Sequence, residues 1–451
     1  MKKLLKFLGA AAFLLGMTAA LAACSAGNTP YDDLGKEGYT VTVRYDAGGG
    51  TFTSNTSVRS DVFNPSHYTA KDGVIEIPLL ALDDPNRGKD AFEGGAKRNG
   101  YYLAGWYTER EIWKNDAGET LDVYGNPIPE GSDTEPGYTY SGKWDFDKDT
   151  VKIQADSEYS ATEPVITLYA AWVPYYVYEV YATTPEGETV LVGETTGLSL
   201  TVPEWDKETG KIMMGDFPEW RGHTLWNVYT DEAMTEKAEG SYSGSYDEET
   251  ATVTVGKVKF YTEWREGNWY KIYTAKQLYD YSKSSAANSY YLCADLDFAD
   301  VAWANSLASK TYSGTLEGNG YKISNVKLAQ TDFSQTMGGL FGSLGAKAAI
   351  RNVEFENVTV TLEKGSRVAG ARFGLLCGDA STEAALENVT VSGTLVIGKS
   401  CQFLGDYSIG LMTGNGDIAG VSSENIECRA EEGSGITVAE ENGIVSVTFP
   451  L

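Results

Sequence analysis

Tyr312-Ser-Gly-Thr-Leu-Glu-Gly-Asn-Gly-Tyr-Lys-Ile-Ser-Asn-Val326 is the stretch that decides the fold. Two short apolar runs flank Gly318-Asn-Gly320, a turn where glycine and asparagine take positive φ at little cost. Downstream, Gly339-Leu-Phe-Gly342 precedes Ile350-Arg-Asn-Val-Glu-Phe-Glu-Asn-Val-Thr-Val360. Gly339-Leu340 recurs as Gly374-Leu375 and Gly410-Leu411, at steps of 35 and 36, and Ile350-Arg-Asn-Val353 recurs as Leu386-Glu-Asn-Val389, a step of 36. Short β runs broken by Gly and Asn at constant spacing predict a β-solenoid, with coils of about 18 residues and so two coils per period. Val, Ile, Leu and Phe face inward. Asn325, Asn352, Asn357 and Asn388 sit at corners, where αL is tolerated and their amides can stack between coils.

Working outward, Thr274-Ala-Lys-Gln277 is a capping box, predicting a helix to about Ser285. Tyr290 to Phe298 alternates as a strand. At the far end, Gly435-Ile-Thr-Val-Ala and Val445 to Leu451 read as a hairpin that closes the solenoid, whose end needs a cap.

The amino-terminal half has a different pattern. Tyr39-Thr-Val-Thr-Val-Arg-Tyr45 alternates as a strand, Asp46-Ala-Gly-Gly-Gly50 turns, and Arg98-Asn-Gly-Tyr-Tyr-Leu-Ala-Gly-Trp-Tyr107 and Val165-Ile-Thr-Leu-Tyr-Ala-Ala-Trp172 follow. A weaker copy comes directly after it: Tyr176-Val-Tyr-Glu-Val-Tyr181, then Trp220 to Met234, then Val253 to Trp264, with Pro185-Glu-Gly187 in place of the glycine turn. Trp106, Trp172, Trp226 and Trp264 are read as module core. The extra residues between Thr53 and Lys97 and between Glu109 and Pro164 are rich in Gly, Asp and Pro and read as surface loops or added hairpins.

These motifs carry two resemblances. V-x-Y-D-A-x-G-G-x-F, G-Y-x-L-A-G-W-Y-T and I-T-L-Y-A-x-W resemble the Listeria–Bacteroides, or internalin B-type, repeat. That resemblance implies a small β-grasp-like fold used in tandem on secreted bacterial surface proteins. L-x-A-D-L-D-F, G-T-L-E-G-N-G-Y-x-I-S-N-V and G-L-F-G resemble the GLUG-type right-handed β-helix, roughly from Asn268 to Ile397. The expected fold is therefore mainly β, with two tandem β-grasp-like modules and then a short right-handed parallel β-helix. The expected boundaries are 1–23 leader, 24–38 linker, 39–174 first module, 175–266 second module, and 267–451 β-helix with its cap.

Lys2, Lys3 and Lys6 precede an apolar run that ends in Leu21-Ala22-Ala23-Cys24. The run is short for a membrane span and lacks a stop-transfer flank. It resembles a bacterial lipobox, which implies cleavage between Ala23 and Cys24 and a diacylglyceryl group on the Cys24 thiol. Two acyl chains suffice for stable anchoring. The partner so implied is the membrane, and the expected location is the outer face of the cell membrane. Cys293, Cys377, Cys401 and Cys428 are far apart, without a C-x-x-C. They read as small buried residues, with a Cys377–Cys401 or Cys401–Cys428 bridge left open.

The formal charge of −27, from 36 Lys+Arg against 63 Asp+Glu, excludes a nucleic-acid binder. No H-E-x-x-H or G-x-S-x-G occurs, and His67 and His223 lack partner motifs. Asp295 and Asp297, two apart on a strand, with Asp300, are the nearest carboxylate cluster. They read foremost as corner caps, secondly as a weak Ca²⁺ site; no other cofactor is expected. Tyr138, Tyr140, Trp144, Tyr242 and Tyr246 lie in polar, Gly-rich stretches and are the candidate contact residues. The expected function is non-catalytic: adhesion, or binding of a glycan or protein at the cell surface. A spacer or protein-docking role is the alternative, and a carbohydrate-active enzyme on the β-helix the third.

Overall fold

The structure is a computed structural model that describes residues 38–450 apart from 54, 91–94, 185, 302–310, 416 and 417. Ala23 and Cys24 lie outside the described residues. The protein is mainly β. Packing divides the chain into two compact units. Of the described residues, the first comprises those in 38–178, 196–200 and 242–258; the second comprises those in 179–195, 201–241 and 259–450. No helix among the described residues is long and apolar enough to cross a membrane.

The first unit is built on a sheet of five strands in the order Val58–Phe63, Val41–Asp46, Pro164–Pro174, Tyr101–Ile112, Tyr138–Lys143. Val41–Asp46 runs parallel to Pro164–Pro174. Val41, Val43, Tyr45, Phe52, Trp106, Leu168 and Trp172 fill one apolar core beneath it. Trp106 stacks on Phe52 and meets Tyr45 edge-on, and the Trp172 indole donates to Ala47 O at 2.6 Å. The two insertions are more than surface loops. Val74–Pro78 from one pairs antiparallel with Thr150–Gln154 from the other, and Ile75, Ile77, Val151 and Ile153 join the core. Asp61 accepts from the fully buried Arg87 at 2.6 Å, a paired charge that the composition does not advertise.

The second module repeats the order of the first. Its sheet runs Thr189–Gly197, Tyr176–Thr183, Lys257–Glu266, His223–Tyr229. The two sheets even share a bulge. In the first, Leu103 opposes Trp172 and Gly105 opposes Ala171. In the second, Leu225 opposes Trp264 and Asn227 opposes Glu263. Aligned on that bulge, Val228 and not Trp226 stands where the first module has Trp106. Trp226 takes the place of Ala104, the extra residue of the bulge, which leaves the regular alternation of the strand. Trp226 is nonetheless buried, 8% exposed, as expected of a core position, whereas Trp264 is only partly buried.

From Trp269 on, strands stack in parallel. Tyr270, Tyr290, Leu316, Ile350 and Leu386 form one column, and Leu296, Ile323, Phe355 and Val391 another. Leu328, Val360, Leu395 and Cys428 form a third. One apolar core lies within. The expected two coils per period do not occur. Phe341 pairs with Cys377, Ala349 with Ala385 and Ala371 with Tyr407, so each residue's neighbour lies a full period away. Each period is one wide coil, because Ala349–Leu362 alone supplies three inward columns through Ile350, Phe355 and Val360.

The corners are asparagines in αL. Asn325, Asn352, Asn357 and Asn388 have φ between 51° and 58°. Their amides join the coils in two ladders. In one, Asn357 donates to Asn325 at 2.7 Å and Asn325 to Asp297 at 2.9 Å. In the other, Asn388 donates to Asn352 at 3.0 Å and Asn352 to Glu317 at 2.9 Å. The capping box of Thr274 and Gln277 is present, and the helix runs Ala275–Ser282. The Thr437–Glu441 and Ile444–Thr448 hairpin closes one face, adding antiparallel to Tyr407–Gly410. Cys293, Cys377, Cys401 and Cys428 are all free thiols.

Candidate functional site

In the second unit, a hairpin of Glu204–Trp205 and Ile212–Met213 is fastened to the start of the parallel stack. The Lys271 amide donates to Gly210 O at 2.9 Å. Gln277 donates to Lys207 O and Glu208 O at 2.7 and 2.8 Å, and the Tyr281 hydroxyl donates to Thr209 O. Asp206 holds the hairpin turn by accepting from Glu208 N at 2.8 Å and from the Thr209 hydroxyl at 3.0 Å. Those contacts keep its carboxyl below the usual aspartate range. Gly210 takes φ +63°, and a Cβ there would meet Lys271 O at 2.2 Å, so only glycine permits this approach.

Two clefts flank this hairpin, with Ile212 and Leu225 lining both. The larger, about 530 Å³, is walled by Trp220, His223, Trp264, Trp269 and Tyr270, with Lys211, Arg221, Glu219 and Asn268 among the polar groups. Trp220 stacks on His223 at 4.4 Å and meets Trp264 edge-on at 6.2 Å. Trp269 is oriented by its indole, which donates to Glu266 O at 2.9 Å. Trp220, Trp264 and Trp269 are each partly exposed.

The smaller cleft, about 340 Å³, is lined by Trp205, Trp226, Asn227, Lys237 and Lys271, with Glu204 and Glu239 at its exposed rim. Trp226, the bulge residue, is its hub. Trp205, Trp269 and Tyr291 meet it edge-on at 5.2, 5.8 and 5.1 Å. The Arg265 guanidinium lies 3.4 Å from its ring centroid, and Lys271 Nζ 4.8 Å from it. Lys271 Nζ is also 4.6 Å from the Trp205 ring. Such contacts are worth about 0.5–2 kcal/mol each. Burial pulls Lys271 below the ordinary lysine range. Lys237 and Arg265 push the same way, against Cys293 and Glu263.

Both clefts set indole faces beside polar and charged groups. Partly exposed indole faces can take the C–H face of a ring, while ammonium, amide and carboxylate groups at the margin can meet hydroxyls.

The sequence-derived candidates lie elsewhere. Tyr138 and Tyr140 are neighbours at 6.5 Å in the first unit, beside Arg110. Tyr140 is only 6% exposed and packs on Tyr107; burial pushes its hydroxyl up to about 12. Trp144 packs against the first core, and its amide donates to Trp106 O at 2.7 Å. Tyr246 meets Tyr102 edge-on at 5.7 Å. Tyr242 lies half-buried on Ser241–Tyr242. Of these candidates, Tyr138 and Tyr140 are brought together.

The aspartates act as coil caps. Asp295 accepts from Lys322 N at 2.9 Å, and Asp297 accepts from Ala299 N and from the Asn325 amide, each at 2.9 Å. Asp300 is exposed in the following turn. Among the described residues no three His, Cys, Asp or Glu side chains converge as metal ligands, so the trio does not form the weak Ca²⁺ cluster considered for it.

Trp205, Trp220, Trp226, Lys237, Trp269 and Lys271 were not singled out as a site. One signal was available. In Trp269-Tyr-Lys-Ile-Tyr273, Tyr270 and Ile272 face the core, so Trp269, Lys271 and Tyr273 share the other face.

No protein-family profile matches the chain, and no solved structure matches it. The chain is similar to Halomucin of Haloquadratum walsbyi (strain DSM 16790 / HBSQ001), 28% identical over 162 residues that make up 33% of this chain and 2% of that one. The chain thus spans a very small part of that relative's length.

Proposed function

We propose that this is a lipid-anchored bacterial surface protein that binds a glycan in the two clefts of its second unit, without catalysing a reaction on it. The observation that carries the reading is the set of partly exposed indoles, Trp205, Trp220, Trp264 and Trp269, arranged around two adjoining clefts with polar groups at their margins. Indoles in open clefts with hydrogen-bonding groups beside them suit a pyranose, which has an apolar C–H face and a rim of hydroxyls. The Leu21-Ala22-Ala23-Cys24 sequence supports the anchor, with the lipid on Cys24. The likeness to Halomucin covers too little of either chain to add to this.

One experiment tests both parts. Bacteria producing the full chain are applied to an array of neutral and acidic oligosaccharides. Wild-type cells are expected to be retained on one glycan class. Cys24→Ala should release the chain into the medium. Trp205→Ala and Trp220→Ala should keep it on the cells but reduce retention at least about tenfold, the scale of one lost stacking contact. Retention unchanged in both tryptophan variants, or none by wild type, would overturn the binding site. A Cys24→Ala chain still on the cells would overturn the anchor.

A further inference from the structure

We propose that the smaller cleft takes an acidic saccharide, a uronate, with the ligand's carboxylate seated between Lys237 and Lys271 and its ring against Trp205. This rests on the glycan-binding reading and names the ligand's class.

Acidic residues outnumber basic ones by 63 to 36 in this chain, yet two lysines line this cleft. Neither Lys237 nor Lys271 makes an ion pair among the described residues. Lys237 Nζ donates to Asn227 Oδ1 at 3.1 Å, which leaves it N–H groups to spare. Lys271 Nζ lies over the faces of Trp205 and Trp226, at 4.6 and 4.8 Å, with Cys293 and Glu263 as its favourable electrostatic neighbours. The two ammonium groups repel one another, and Arg265 adds to that repulsion on Lys271.

Like charges gathered in a partly buried cleft are relieved by an anion, and neither lysine has an ion-pair partner among the described residues. The other charged groups have other places. Glu263 accepts from Asn227 at 2.6 Å, and Glu204 stands at the exposed rim, where it can accept from sugar hydroxyls. Trp205 is partly exposed beside Lys271 and offers an indole face for the ring that carries the carboxylate. A uronate places a carboxylate directly on a pyranose ring, and so meets the lysines and the indole together.

The test uses the purified full chain in detergent. The probes are oligosaccharides of galacturonate, glucuronate, mannuronate and guluronate, each paired with its counterpart in which the carboxyl is reduced to the alcohol. At least one uronate should bind about tenfold or more tightly than its reduced counterpart, the scale of a charge-assisted hydrogen bond, and added salt should narrow the gap. Lys271→Met and, separately, Lys237→Met should remove most of that preference, while Lys271→Arg keeps it. Circular dichroism confirms that each variant is folded, and Lys237→Met carries the test if Lys271→Met is not. Equal binding of both partners of every pair, or preference for the reduced forms, would overturn this inference and leave the glycan reading standing. Binding of neither would overturn the glycan reading itself.

Discussion

The two β modules share strand order and share a bulge, yet the bulge of the second, unlike that of the first, carries a tryptophan that lines a cleft of about 340 Å³. In the first, the bulge is Ala104-Gly105, and the aromatic weight of the strand falls on Trp106, inside the core. In the second, the bulge is Trp226-Asn227, and the corresponding core position is the smaller Val228. Moving a tryptophan two positions along a strand would ordinarily keep it on one face. The bulge between breaks that alternation, so Trp106 packs in the apolar core of its sheet while Trp226, also buried, gathers three rings and two cations around itself. A common frame thus carries either a small bulge residue or a tryptophan that lines a cleft.

The sharpest way to break this comparison is to delete each tryptophan. Trp106→Ala should cost about 3–5 kcal/mol, the range for a large aromatic removed from a packed core. Trp226→Ala should cost only about 2 kcal/mol, because the first module already folds with alanine there and the loss is mainly of ring contacts. Urea melts of both variants measure this. The binding assays should show the reverse order, with Trp226→Ala losing ligand and Trp106→Ala keeping it wherever it remains folded. Equal losses of stability would mean that the buried Trp226 matters to the fold as much as Trp106 does.

The next effect concerns what the first module lacks, the hairpin bound to the stack. Gly210→Ala puts a Cβ 2.2 Å from Lys271 O at a backbone with φ +63°. The hairpin should lift, at a cost of roughly 1–3 kcal/mol. Hydrogen exchange should rise at the Lys271 amide, which loses its acceptor, and both clefts should weaken together because Ile212 lines each. Loss in one cleft alone would show that the hairpin is not their common wall.

Much of the frame was legible because it is local or periodic. The capping box of Thr274 and Gln277, the αL asparagines and the closing hairpin each announce themselves within a few residues or at a constant step. Coil width was not legible, since a period of 36 fits two narrow coils or one wide one, and only the pairing of Ala349 with Ala385 decides. The clefts were hidden for a different reason. Their walls come from residues near 205, 226, 237 and 270, which no spacing rule connects. The bulge that turns Trp226 out of the pattern has no sequence mark, and the alternating Trp269 and Lys271 were legible only as a strand. Tyr138 and Tyr140 were chosen for their polar, Gly-rich neighbours, yet long-range packing buries Tyr140.

The smallest expected effect distinguishes the stack from the modules by its charge. At the first coil the asparagine ladder ends on a carboxylate, Asp297, whose Oδ1 accepts from Asn325 and Ala299. The Asn325 amide first and the Ala299 N–H second hold the Asp297 carboxyl below the usual aspartate range. A depressed pKa in the folded state means that the carboxylate stabilises the fold fully above the unfolded value of about 3.9 and stops doing so as pH falls through the folded one. Asp297→Asn keeps an acceptor oxygen at this end of the ladder but removes the titration. The variant should therefore melt slightly below wild type at pH 7, and the gap should close as pH is lowered past 4 towards the folded value. Because Asp297 is exposed, the gap is small, and added salt should shrink it. A gap that stays constant from pH 7 to strongly acidic solution would mean that the ladder needs the shape of this side chain and not its charge.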